Sequence, residues 1–248
     1  MRINLLDELS KKKAFTIEDA KQLGYTNKNV LKVTLSRLEK KGWIERIEKG
    51  KYMVIPLGAE KGKYTLHEFV LGSFLVDPCI ISYWSALNYY GFTEQIPRTV
   101  FIQTTARKKH QQVTIFGIPY KIVRLKKEKI FGIEKAWFEN IQVNLTNKEK
   151  TIIDCLDKPQ YAGGIIEVAK AIQTEDYDKK MLVNYAKKMN NTGIIRRLGY
   201  ICDFLHIPIH LPEIKTRNYL KLDPILPKST NLNAKWNLII NEELGDLE

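Results

Sequence analysis

Histidine is scarce in this chain, with four copies in 248 residues, and cysteine is scarcer, with three. Cys79, Cys155 and Cys202 stand far apart, are odd in number and form no CxxC pair. That pattern argues against a disulfide framework and a thiolate zinc site, and it fits a reducing compartment. No window approaches the ~18 consecutive apolar residues of a spanning helix. The opening MRINLLDELSKKK lacks the apolar run and small-residue cleavage site of a secretory signal. The expectation is a soluble, cytoplasmic protein with no membrane association. Also missing are the GxxxxGK[ST] phosphate loop, the HExxH helix and the GxSxG elbow, and with them three common enzyme signatures. No repeat at solenoid spacing is present.

Acid is in short supply relative to base: 28 Asp and Glu against 40 Lys and Arg, a net charge of +12. The imbalance is local. Residues 1–60 carry 13 basic and 8 acidic side chains, residues 61–150 carry 14 and 7, and residues 151–248 carry 13 of each. A basic part joined to a neutral part implies a polyanion on one side of the molecule. The hydrophobic fraction of 44% is that of a folded chain with a sizeable core.

In the first sixty residues, Leu5, Leu6 and Leu9 recur at helical spacing in LLDELSKKK. Thr16 reads as the cap of a second helix, with Asp19 at the capping-box position. Ile17, Ala20 and Leu23 form its apolar side, and Gly24 supplies a turn at positive φ. Thr26 reads as the cap of a third helix reaching about Lys41. Leu31, Leu35 and Leu38 cover one of its faces. The opposite face carries Asn29, Lys32, Val33, Ser36 and Lys40, flanked by Arg37, with no acid near its start. WIERIEKGKYMVIP alternates around a Gly-containing turn and predicts a β-hairpin. Three helices and a hairpin spell a winged helix-turn-helix. Docked in a major groove, Asn29, Lys32 and Ser36 would reach base edges, and Arg37 and Lys40 would meet phosphates. Arg46, Lys49 and Lys51 on the wing would touch the backbone or minor groove. The corresponding partner is double-stranded DNA.

Residues 57–66 read as a Gly- and Lys-rich linker. Beyond it the pattern predicts an apolar helix ending at Asp77-Pro78, a strand at Ile80-Ile81 and an aromatic-rich helix stopped by Gly91. A strand follows over Thr99–Gln103. Gln112–Ile115 and Ile118–Arg124 form a hairpin around Phe116-Gly117. After a strand at Val143–Leu145, Thr146 reads as the cap of a helix through KEKTIIDCLD. Helical periodicity continues over Gly164–Ile172, Lys179–Met189 and Thr192–Leu205, and the tail from Pro212 is mixed. The fold class is α+β: a winged helix-turn-helix over 1–58, then a mixed α+β domain over 59–248 in which the stretch from about 175 is a separable helical tail.

The order of these blocks, GWIERIEKGKYMV, then SYWSALNYYGF, QIPRTVFIQT and VNLTNKEKTIIDCL, resembles the AbiEi-type antitoxin and transcriptional regulator family of bacterial abortive-infection loci, over roughly residues 5 to 175. The resemblance implies a protein that represses its own operon through the winged helix. It also implies opposition to a nucleotidyltransferase-like toxin, in a type IV toxin–antitoxin arrangement without a stable complex. Ser85-Ala86 and Gly91 match the family's small-residue helix. Thr146, Glu149, Thr151 and Asp154 match its Thr-x-x-Glu-(Arg/Lys)-Thr-x-x-Asp block, with Lys150 where Arg is common.

Other chemistry is thinner. The Thr146–Asp154 block could be catalytic, but a capping box with one polar helix side accounts for it, and no His, second carboxylate or Gly-rich loop joins it. Cys202, His206 and His210 have four-residue spacing, yet Pro208 forbids a regular helix there and a fourth ligand is wanting. The expectation is no enzyme activity, no metal and no cofactor. His67 and His110 read as structural or surface groups. The runs Arg107–His110 and Arg124–Lys129 read either as solvated charge or as a second nucleic-acid surface. Two alternatives to a DNA-binding regulator stay open: a nucleic-acid-processing enzyme targeted by the winged helix, and a winged-helix protein-interaction module.

Overall fold

The structure, a computed structural model, describes residues 8–9, 11–56 and 58–247. The expected first helix lies mostly outside the described residues; Glu8 and Leu9 are helical and Leu9 is fully buried. Strand β1 (Ala14–Thr16), unforeseen from the sequence, leads into helix α1 (Ile17–Gln22). Thr16 caps α1 as expected: Asp19 N–H donates to the Thr16 hydroxyl at 3.2 Å, and Thr16 N–H donates to the Asp19 carboxylate at 2.7 Å. Leu23, expected on the apolar side, is exposed, because α1 ends at Gln22.

Helix α2 (Lys28–Lys40) starts one residue later than expected. Its cap is Asn27, not Thr26; the Asn27 side chain accepts from Asn29 N–H at 3.0 Å and Val30 N–H at 3.2 Å. An Asn carbonyl oxygen reaches the first free amides of a helix as well as a Thr hydroxyl does, so composition alone does not choose between them. The hairpin forms as read, with β2 (Ile44–Glu48) and β3 (Lys51–Val54) antiparallel and the sheet ordered β1-β3-β2.

Alternation along these strands decides where the winged helix sits. Phe15, Ile44, Tyr52 and Val54 pack on Leu31, Leu35 and Leu38 of α2. Ala14, Ile47, Met53 and Ile55 join a different core, with Leu66, Phe69, Val70 and Leu75 of the following segment. Successive strand residues point to opposite faces, so the small sheet is covered on both sides.

That following segment opens with α3 (Glu68–Ser73), capped by His67. A six-stranded mixed sheet forms the middle layer, in the order β6-β7-β5-β4-β9-β8. Its strands are β4 (Ile80–Ile81), β5 (Val100–Thr104), β6 (Gln112–Ile115), β7 (Ile118–Arg124), β8 (Ile133–Phe138) and β9 (Ile141–Thr146). The β6–β7 hairpin turns on Phe116 and Gly117, both at positive φ (49° and 81°), as a two-residue turn between right-twisted strands requires. The strand expected over Val143–Leu145 extends to Ile141–Thr146 because it pairs along its length with β8.

Val100 and Ile102 of β5 face α3 and the winged helix, and Phe101 faces the opposite layer. That layer holds α4 (Tyr83–Tyr89), α5 (Lys148–Asp157), α6 (Ile165–Gln173), α7 (Lys179–Lys188) and α8 (Thr192–Phe204). Helix α5 is capped by Asn147 rather than Thr146, which remains in β9. The tail closes with a small sheet of β10 (Leu220–Lys221), β11 (Leu232–Asn233) and β12 (Leu238–Ile239). Buried Arg197 ties it down, donating to the carbonyls of Leu222 (2.8 Å), Leu156 (2.9 Å) and Lys221 (3.2 Å). The chain is α+β, with a winged helix-turn-helix followed by a mixed α+β part. No helix among the described residues is long and apolar enough to cross a membrane.

Candidate nucleic-acid interface

Helix α2 presents its outer face because its leucines fix its inner one. At 100° per residue, Asn29, Val33, Ser36 and Lys40 fall within a sector of about 60°, with Lys32 and Arg37 on either flank. All six side chains are exposed. Among the described residues none of the five polar ones has a side-chain hydrogen bond or ion pair to another residue. The first turn carries no acid. The helix's one carboxylate, Glu39, is held by Arg46 at 3.5 Å, which leaves the outer face cationic and unengaged.

The wing residues divide. Lys49 at the tip is exposed and has no side-chain partner among the described residues. Arg46 is exposed but tethered: besides Glu39, its guanidinium reaches the Tyr52 hydroxyl at 3.4 Å and lies over the Tyr52 ring. Lys51 points elsewhere. Its ammonium donates to Glu48 (3.2 Å) and to the Leu75 carbonyl (3.2 Å). Lys108, from the loop between β5 and β6, donates to the same two partners at 2.7 and 2.8 Å. Glu48 thus sits between two ammonium groups. Partial burial pushes its carboxyl up, but Lys108 and Lys51 more than offset that and hold it below the ordinary glutamate range. A second tie runs from Lys13 to Glu139 at 3.2 Å, and Glu139 also accepts from His67 N–H at 2.8 Å. Sequence reasoning missed this clamp. Glu48 was visible only as one acid in a basic hairpin, and its partner Lys108 lies sixty residues away.

The loop that supplies Lys108 brings its basic neighbours beside the wing. Arg107, Lys109 and His110 are exposed, and Arg124 donates to the Thr105 carbonyl at 3.2 Å. Lys109, His110, Gln111, Gln112 and Lys121 line a shallow polar depression of about 470 Å³. In the second charge run, Lys129 is paired with Asp157 at 3.4 Å.

The Thr146–Asp154 block folds inward. The hydroxyls of Thr146 and Thr151 meet at 2.7 Å, and Glu149 accepts from Asp178 N–H at 2.9 Å. Lys150 and Asp154 form an ion pair inside the protein, and Gln103 donates to the same carboxylate at 2.6 Å. Burial pushes the Asp154 carboxyl upward against the pull of Lys150 and Gln103. Cys202 is buried within α8, where desolvation pushes its thiol up to about 12, while His206 and His210 are exposed beyond the helix end. No group of three or more His, Cys, Asp or Glu able to hold a metal ion forms among the described residues.

Fold and outer face together define a winged helix-turn-helix protein in which the outer face of α2 is left open to solvent. Residues 4–55 match the model of the family described as "Transcriptional regulator, AbiEi antitoxin". Over those residues the chain is similar to the AbiEi antitoxin and transcriptional-regulator family, the family that the sequence resemblance named. The match ends before the SYWSALNYYGF and VNLTNKEKTIIDCL blocks. No curated protein matches the chain. Among solved structures it is similar to the RV2827C protein from Mycobacterium tuberculosis, with a TM-score of 0.67 and 14% identity, covering 98% of this chain and 92% of that one. At that identity the likeness is one of fold.

Proposed function

We propose that this chain is a cytoplasmic, non-enzymatic regulator that binds double-stranded operator DNA through α2 and the wing and represses its own operon. It acts as the antitoxin to a nucleotidyltransferase-like toxin without a stable complex. The observation that carries the DNA reading is the exposed, unengaged face of α2. Asn29, Lys32 and Ser36 lie where base edges would be, and Arg37, Lys40 and Lys49 lie where phosphates would be. Arg46 and Lys51 contribute less, since their charges are already met within the chain. The Arg107–His110 loop extends the footprint, because the Glu48 clamp holds it against the wing. The inward-facing Thr146–Asp154 block supports a structural role for those residues and so a non-enzymatic protein.

The test is fluorescence anisotropy with the DNA upstream of the chain's own gene and with a scrambled duplex, over several salt concentrations. The expected result is preference for the upstream duplex by ~10³ or more, with a steep salt slope. The Lys32→Ala, Arg37→Ala double variant abolishes that preference. Equal, weak binding to both duplexes would overturn the reading, as would a double variant that binds like the parent. The antitoxin role is tested by co-expression with the neighbouring open reading frame: rescue of growth without co-purification is expected.

A further inference from the structure

The outer face of α2 is not uniformly polar. Val33 is 51% exposed and Val30, one turn earlier, is 55% exposed. At 100° per residue the direction opposite the three buried leucines falls within about 15° of Val33. Only Lys40, in the last turn, is aimed as directly outward, so the centre of the exposed face is a bare isopropyl group. Neither valine belongs to the core of the winged helix. Helix stability does not explain them either, since β-branched residues are poorer helix formers than the Lys, Glu or Gln that usually solvate such a face. A lone surface valine would be ordinary. Two neighbours at i and i+3 form an apolar spot, with Asn29, Ser36 and Lys32 to one side of it and Arg37 between the two valines on the helical wheel.

A major groove has a matching feature. Its floor offers hydrogen-bond donors and acceptors at every base pair, and one apolar group, the thymine 5-methyl. A valine can neither donate nor accept, so it rewards that methyl and no other edge. Arg37 and Lys40 beside it are complementary to the phosphates that border the groove. Asn29, one turn before Val33, carries an amide that can bond twice to adenine. We infer that Val33, with Val30 beside it, packs on a thymine methyl in the operator and is a specificity-determining residue of α2. The inference rests on the DNA-binding reading above and adds a base identity to it.

Duplexes selected from a randomised library by the full chain supply the probe. Each thymine of the tightest-binding duplex is replaced singly by deoxyuridine, which removes the methyl and leaves every hydrogen-bonding group in place. Binding should weaken by about fourfold, the worth of one buried methyl, at one or two positions and nowhere else. Val33→Ala should weaken binding to the thymine duplex by a similar factor and erase the uracil effect there. Alanine is the better helix former, so loss of fold is not at issue. Uracil tolerated at every position would overturn the inference, as would a uracil penalty undiminished in both Val33→Ala and Val30→Ala. Uracil tolerance with a Val33→Ala variant that binds normally would assign the valines to a protein contact. A selection that returns no shared sequence would instead overturn the sequence-specific reading itself, and the thymine contact with it.

Discussion

The Lys150–Asp154 pair shows how little a single residue's type says about its place. The two sit at i and i+4 in KEKTIIDCLD, a spacing that usually marks a solvated salt bridge on a helix surface. Both are almost completely buried. Taking two charges out of water is costly, and the pair tolerates it only because the partners and Gln103 meet each other's needs. Asp154→Ala would leave the ammonium unpaired in the interior. It should destabilise the protein by about 3–5 kcal/mol, read as a shift in the denaturant midpoint. Replacing both residues by apolar ones of similar size, Lys150→Met with Asp154→Leu, should recover much of that loss. A single variant as stable as the parent would show that the pair is not held in this way. The block was legible as a polar stripe. Its burial was not, because α5 is covered on all sides by elements distant in the chain, and composition within ten residues carries no trace of them.

Elements were most legible where a local rule sufficed. The leucine stripe of α2, the Thr16–Asp19 capping box and the Phe116-Gly117 turn all depend on neighbours within a few residues. Strands β1 and β8 had no such signal: β1 is three residues long, and only Ala136 of β8 is buried, so neither shows an apolar alternation of its own. The role of the wing depends on distant partners too, through Glu48. Its carboxyl is held below the ordinary glutamate range, so its contribution to stability is present above the unfolded glutamate pKa. That contribution is lost as pH falls through the lower folded value. Hydrogen exchange of the wing amides, corrected for intrinsic rates, should show protection near neutrality that declines on acidification. Glu48→Gln should begin with weaker protection and lose less of it in acid. Equal protection in both proteins at neutral pH would show that apolar packing of Ile47, Met53 and Ile55 alone seats the wing.

At the scale of the whole molecule the winged helix and the segment that follows it are joined through shared structure rather than a bare linker. Met53 and Ile55 belong to the same core as Phe69 and Val70, and Lys108 reaches across to the wing. The charge distribution pointed from sequence toward a polyanion, but nothing in it told that the loop over 105–111 would lie beside the wing. Since Lys108 is occupied by Glu48, the loop's free charges are Arg107 and Lys109. A duplex lying along α2 and the wing would meet these two as phosphate contacts, because they are placed by backbone packing and not by any base. Each phosphate neutralised releases condensed counterions, so the slope of log K against log salt counts such contacts. Changing Arg107 and Lys109 together to Ala should therefore make that slope shallower by about two units. The ratio of affinities for the upstream and scrambled duplexes should stay unchanged, since neither residue reads a base. A slope like the parent's would confine the DNA footprint to α2 and the wing. A changed ratio with the same slope would instead place the loop against base edges.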